Sequence, residues 1–305
     1  MGGNRNLWVK NLRRDKLLVL MILPVIVYYI LFSYLPMYGV VIAFKDYRPG
    51  RGIWGSRWVG LEHFKQFFGG FFFIRLLRNT LLISVYSLLW GFPVPIIFAL
   101  ILNEFKDGVL KRSIQTITYL PHFISVVVIC GMIVNFLSPA NGMVNIVLEQ
   151  VTGKRISFLN ESRWFRTIYI SSGIWQSFGW NSIIYLAALS GIDMNLYEAA
   201  RMDGAGRLRQ LWHISLPGIM PTVVTLFILS VGNLMSVGFE KIILLYNPAI
   251  YETADVISTY VYRMGIQSTQ YSFSAAVGFF NSIINLVLLL GCNTVSKRVL
   301  GHGLW

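Results

Sequence analysis

Apolar residues in this chain come in long uninterrupted blocks. Six windows contain no Asp, Glu, Lys or Arg: 17–44, 79–103, 113–148, 167–192, 210–239 and 264–296. Each is longer than the ~20 residues an α-helix needs to cross the hydrocarbon of a bilayer. One such run can be a buried core helix, but six cannot all be hidden inside a water-soluble fold of 305 residues. The pattern predicts an all-α membrane protein with six transmembrane helices, at about 17–44, 79–102, 114–137, 168–190, 218–239 and 274–295. Pro139, Asn141 and Gly142 break the third window, so its helix should end near Leu137. Pro93 and Pro95 inside the second helix, and Pro121 near the start of the third, predict kinks, because neighbours in a membrane bundle can satisfy the freed carbonyls.

Composition supports this picture: 55% of residues are hydrophobic and 13% charged, against about a quarter charged in soluble domains. The net charge of +13 does not point to nucleic acid, because the cations sit in short loops beside apolar runs, where lipid headgroups and topology explain them. Arg5, Lys10, Arg13, Arg14 and Lys16 form a basic N-terminal segment, 1–16. The apolar stretch behind it is too long for a signal-peptide core and has no small-residue cleavage pattern. It reads as a retained first helix with both chain termini in the cytoplasm. That orientation leaves the Lys and Arg residues evenly divided between the two sides, so the positive-inside rule acts through their density in the shorter cytoplasmic segments.

The 45–78 stretch carries Trp54, Trp58, Phe64, Phe67, Phe68, Phe71, Phe72 and Phe73, with Arg75 and Arg78 behind them. Aromatics beside cations suit either a helix lying in the membrane interface or an ordinary aromatic belt, and Gly69–Gly70 should interrupt any such helix. Cys130 and Cys292 both lie in apolar runs and read as small packing residues.

The segment 197–221, YEAARMDGAGRLRQLWHISLPGIMP, falls between the fourth and fifth windows. It is too long for a plain connector. Helix formers end at Asp203–Gly204, a turn signal, and a second amphipathic run follows through Leu208, Leu211, Trp212 and Ile214. Leu216–Pro217 should close that run and Pro221 open the next membrane helix. A short helix, a sharp bend and a helix entering the bilayer form an object that a partner can grip at the bend.

Glu198-Ala199-Ala200, then Asp203-Gly204-Ala205, then Ile214-Ser215-Leu216-Pro217 and Pro221, resemble the EAA loop of ABC importer permeases in the form found in carbohydrate-uptake permeases related to the maltose transporter. Leu35-Pro36-Met37-Tyr38-Gly39, Ala43-Phe44-Lys45-Asp46-Tyr47 and Trp58-Val59-Gly60-Leu61-Glu62-His63-Phe64 are similar to the LplB-type subgroup of polysaccharide permeases. The resemblance covers nearly the whole chain. It implies the type I importer permease fold and a cytoplasmic coupling loop at 193–217. Glu198, Ala199, Ala200, Arg201, Asp203 and Gly204 would then dock into a cleft on a separate ATPase. It also implies a bacterial cytoplasmic membrane and an oligosaccharide substrate. The expected partners are a second, non-identical permease, two ATPase subunits that bind ATP and Mg, and an external solute-binding protein. The 45–78 and 239–273 loops would face that binding protein. A permease of the same architecture for a peptide or amino acid is the alternative.

Uncharged polar residues inside membrane helices face the bundle or a water-filled path. Gln176, Ser177 and Trp180 fall within about one turn of the fourth helix, and Ser230, Asn233 and Val237 share one face of the fifth. The maltose-type resemblance points to the same two helices as lining the substrate pathway; helix–helix hydrogen bonding is the plain alternative for each residue. Asn281 and Asn285 on the last helix are further candidates. No carboxylate lies in any window, so a proton-coupled carrier has no relay. Catalysis has no purchase either. The phosphate-binding loop is absent, with Gly153-Lys154 followed by Arg155. His63, His122, His213 and His302 are too scattered for a metal site. Asn160-Glu161-Ser162 matches a glycosylation pattern by chance. The chain is expected to hold no cofactor and to hydrolyse nothing itself.

This topology is checked by cysteine scanning in sealed cells. Single cysteines at 154–166 should react with an impermeant maleimide from outside, and those at 201–209 only after the membrane is opened. Outside labelling of 201–209 would refute the orientation.

Overall fold

The computed structural model describes residues 15–301, 303 and 304. Most of the basic N-terminal segment and His302 lie outside these residues. The fold is helical throughout, apart from one two-stranded ribbon among the described residues.

The chain divides into two compact units, the first formed by 15–69 and 264–279. Its N-terminal helix, α1, is Lys16–Phe44, and the core of this helix has no buried residue. A helix apolar on all sides, with no protein over it, is suited to lipid. The strands β1 (Lys45–Asp46) and β2 (Arg57–Trp58) pair antiparallel, Lys45 opposite Trp58. Ser56 holds the connection between them: its Oγ donates to the Gly52 carbonyl at 2.6 Å and accepts from the Arg48 N–H at 3.1 Å. His63 makes a 3.1 Å hydrogen bond to the Lys45 carbonyl, a structural role. The interfacial helix considered for 45–78 is short, α2 at Glu62–Phe68, and Gly69 caps it. Its Phe64 and Phe67 are buried, against Phe44 and Phe279 and against Phe273. These two aromatics therefore build the core of this unit and do not face the membrane interface. Trp54 and Phe71 remain exposed.

The second unit comprises 70–263 and 280–304. α3 (Phe73–Asn103) runs through Pro93 and Pro95 as one span. The third window is not a single helix. α4 (Val109–Phe123) and α5 (Val126–Phe136) meet at a 96° bend. Pro121 tightens the end of α4 into a 3₁₀ turn, and Ser125 caps α5 by accepting from the Val128 N–H at 3.3 Å. The bend is too large for a proline kink alone. It needs the new N-cap and an outside partner for the carbonyls it frees, described below. α6 (Met143–Thr152) then folds back, pinned by the buried Asn145, whose amide spans Leu137, Ser138 and Ile156.

Next comes a long helix, α7 (Ser162–Ser190). It is long enough to cross a bilayer, but it carries six serines and two glycines together with Gln176 and Asn181. Composition alone qualifies four described helices as spans, or five with the α4–α5 pair counted as one. With α7 added, the count is compatible with the six spans expected. Beyond it come α8 (Met194–Met202), α9 (Arg207–Gly232), α10 (Phe239–Leu245), α11 (Ile257–Tyr262) and α12 (Tyr271–Leu300), whose 271–279 portion belongs to the first unit. α9 differs from expectation at both ends. It does not close at Leu216–Pro217, because a π-turn over Leu211–Ser215 absorbs the proline and the helix continues. It stops at Gly232 and does not reach 239, because the side chain of Asn285 holds the stretch that follows: Oδ1 accepts from the Met235 backbone N–H and Nδ2 donates to the Ser236 hydroxyl, both at 2.9 Å.

α7 is the centre of the packing. Tyr185 and Leu189 bury against Ala99 and Leu100 of α3 and Ile219 of α9. Phe165, near its start, joins a second cluster with Ile83, Cys130, Ile242 and Ile250, which bears out Cys130 as a packing residue. A polar knot closes that end. Asp255 is fully buried, and both its oxygens are held by Arg263 at 2.7 and 2.8 Å, with Thr259 at 2.9 Å and Arg75 at 3.4 Å. Asn79 donates to the carbonyls of Asp255 and Glu252 and accepts from Arg166. The knot ties α3 and α7 to the loop before α11.

Close approach of α7 to α4 depends on Gly179, since a Cβ there would collide with the Thr118 carbonyl. Gly179→Ala should therefore destabilise the protein by about 1–3 kcal/mol through overpacking, read as a lower melting temperature in detergent. An unchanged melting temperature would show that these helices are not in contact there.

Candidate functional site

Two sites emerge from the second unit. The first is the segment 193–217. Asp193 caps α8, its carboxylate accepting from the Asn195 N–H at 2.9 Å. The C-terminal end is a Schellman motif. Gly204 takes the left-handed conformation, φ +75°. The Ala205 N–H reaches the Ala200 carbonyl at 2.8 Å and the Gly204 N–H reaches Arg201 at 3.0 Å. This satisfies carbonyls that a helix end otherwise leaves open. Gln210 then braces the turn by donating to the Ala205 carbonyl at 2.7 Å. Tyr197 is the one buried residue of α8, and its hydroxyl meets Ser215 Oγ at 2.9 Å, tying α8 to the base of α9.

Most of the rest of α8 and the turn after it is exposed. Glu198, Ala199, Arg201, Asp203 and Gly204 are exposed and Ala200 is half-buried. Met194, Leu196, Met202 and Leu208 are apolar and uncovered, Met202 at 89% exposure. Rigid at its base and apolar at its tip, the loop offers an exposed surface of the kind that marks an interaction site.

The second site is a cavity of about 590 Å³ among α3, α7 and the stretch from the end of α9 to α10. Gln176, Ser177, Ser230, Asn233 and Val237 all line it, with Ser84, Ser87, Asn181 and Ser236. Three of these spend a donor on their own helix: Ser177 on Gly173, Ser230 on Leu226 and Asn233 on Leu229. Their remaining oxygen lone pairs can still receive hydrogen bonds. Gln176 donates to the Ile124 carbonyl at 3.2 Å, the outside partner that the α4–α5 bend requires. Trp180 is not in the lining. It stacks on His122, centroids 4.6 Å apart and planes nearly parallel, with Phe123 at its edge. Val237 is brought in by the non-helical stretch after Gly232, not by a shared helix face. Asn285 supports the lining from behind through Met235 and Ser236.

Sequence reasoning missed Lys241. Its side chain lines the cavity, and the residue is 7% exposed. Nζ donates to the Tyr169 carbonyl at 3.0 Å and lies 5.1 Å from that ring's centroid. The signal was its place two residues past the charge-free window 210–239. A search confined to such windows discards the charges just beyond them, here Glu240 and Lys241.

Residues 91–301 match the model of a family described as "Binding-protein-dependent transport system inner membrane component". Protein LplB of Bacillus subtilis (strain 168) is 45% identical over 298 residues, which is 98% of this chain and 94% of that protein. The polygalacturonan/rhamnogalacturonan transport system permease protein YteP of the same organism is 45% identical over 295 residues, 97% of this chain and 92% of that one. A chain in the crystal structure of a bacterial ABC transporter involved in the import of the acidic polysaccharide alginate aligns with a TM-score of 0.88. It is 46% identical, over 96% of this chain and 99% of that chain.

Gly204→Val should break the α8 terminus, because a β-branched residue in the left-handed region costs about 1–2 kcal/mol or more. Hydrogen exchange should accelerate at the 204 and 205 amides while the long helices keep their protection. Unchanged exchange at both amides would refute the motif.

Proposed function

This chain belongs to the family of binding-protein-dependent transport system inner membrane components, and from that premise we propose that it is one of two permease subunits through which an ATP-driven importer moves an oligosaccharide. Being a membrane transport component, it supplies the path, and ATP and Mg are bound by a partner ATPase. The observation that carries this reading is the pairing of a polar cavity between α3 and α7 with an exposed, rigidly based α8. Amides and hydroxyls suit the hydroxyl groups of a sugar, and the apolar tip of α8 suits the cleft of an ATPase. Tyr197–Ser215 makes α8 and the foot of α9 one mechanical piece, and α9 ends at Asn233 in the cavity wall. Movement of a docked ATPase would thus reach the substrate path along a single helix.

The remaining proposals follow from this reading. Glu198, Ala199, Ala200, Arg201, Asp203 and Gly204 form the ATPase contact. Six spans place both termini in the cytoplasm of a bacterium. The assembly contains a second, homologous permease, two ATPase subunits and an external binding protein. Relatives named for polygalacturonan/rhamnogalacturonan and alginate transport support a saccharide cargo.

The test is reconstitution in proteoliposomes. This chain with the ATPase alone should show no saccharide-stimulated hydrolysis, and adding the sister permease and loaded binding protein should switch it on. Gly204→Val in the full assembly should abolish uptake per assembled complex. Strong stimulation without the sister would replace the heterodimer with a homodimer, and normal uptake by Gly204→Val would remove the coupling role of α8.

A further inference from the structure

The cavity between α3 and α7 holds a single charge. Among its lining residues there is no Asp or Glu, and the only cation is Lys241. An ammonium group has three N–H donors. One goes to the Tyr169 carbonyl, and no ion pair reaches Lys241 among the described residues. A buried cation is costly unless it is paired and hydrogen-bonded, and the other buried charge among the described residues of this unit obeys that rule: Asp255 is clasped by Arg263 and Arg75. Lys241 is left with a carbonyl and the face of one ring.

The surroundings keep that ammonium open. Tyr169, Gly173 and Ser177 follow one another at helical steps of four along α7, all in the lining. A Cβ at position 173 would sit 3.5 Å from Lys241 Nζ, so glycine leaves the approach from the cavity unscreened. Beyond it stand the neutral hydroxyls and amides of Ser177, Asn181 and Ser230. One positive charge set in a neutral polar wall balances one negative charge. A carboxylate fits this count. A phosphate carries about two charges and favours arginine forks, which this wall lacks.

We propose that Lys241 is the carboxylate subsite of the translocation cavity, so that the saccharide passing through it is a uronate-type, acidic oligosaccharide. This deepens the permease reading and rests on it. In transit the sugar carboxylate pairs with Lys241 Nζ, and the ring hydroxyls exchange hydrogen bonds with the neutral wall. A single lysine releases such a group more readily than a bidentate arginine would, as a path must.

The experiment compares uptake of trigalacturonate with that of its methyl ester, which differs mainly in charge, in proteoliposomes holding the full importer. The wild type should favour the acid. Lys241→Gln should lower the acid-to-ester ratio about tenfold or more, the worth of one charged hydrogen bond. Lys241→Arg should keep most of it. Gly173→Leu, which screens the ammonium but leaves its Tyr169 bond in place, should also lower the ratio. That keeps the test decisive should Lys241→Gln fail to assemble, which co-purification of the subunits would reveal. An unchanged ratio in Lys241→Gln, or in Gly173→Leu where only that variant assembles, makes Lys241 a structural anchor and overturns the proposal. If the wild type carries maltotriose but neither probe, the acidic-sugar assignment falls while the permease reading stands. If it carries no saccharide at all, both fall.

Discussion

Hydrocarbon offers a backbone N–H or carbonyl no partner, and this constraint shapes the second unit more than any other. Unbroken helices meet it within themselves. Every interruption must be repaired by a side chain, and the repairs are visible. Gln176 covers the carbonyl freed where α4 turns into α5, Asn285 receives the N–H released where α9 stops, and Asn145 closes three carbonyls where α6 folds back. Ser125 supplies the missing N-cap. The polar residues of the membrane helices are thus first a structural necessity.

That necessity also builds the cavity. Helix breaks put loose backbone and amide side chains in one place, and the α7 wall between them carries glycine and serine at helical spacing. The result is a polar recess in an apolar bundle. Gln176 serves the bend and the wall at once, so its mutation cannot separate the two roles. Ser177 and Ser230 bond only to their own helices, which leaves their lone pairs available to a passing hydroxyl group.

Two ends of the unit are made rigid in different ways. The Asp255 knot holds the start of α3 and α7 with a buried carboxylate bonded by two arginines and a threonine; losing Arg263 would leave it only the longer Arg75 contact and Thr259, which makes the knot a stiff clamp. The other end is held by neutral bonds, Tyr197 to Ser215 and Gln210 to Ala205. These cost less to rearrange, as suits an element that must move with a partner.

The existence of the long helices, the bend at Asp203–Gly204 and the exposed EAA face were determined by the sequence alone. They depend on local properties: the length of charge-free runs, the left-handed freedom of glycine, and a motif contiguous in the chain. Lys241, the 96° turn at Pro121–Ser125, the early end of α9 and the diversion of Trp180 to His122 were decided only by tertiary structure. Each depends on a partner far away in sequence: Tyr169 for Lys241, Gln176 for the turn, Asn285 for the helix end. Hydropathy measures how a residue would fare in lipid. It does not register that a charge at the edge of a window can be drawn inward by a carbonyl on another helix, or that a backbone break is affordable because an amide waits opposite it.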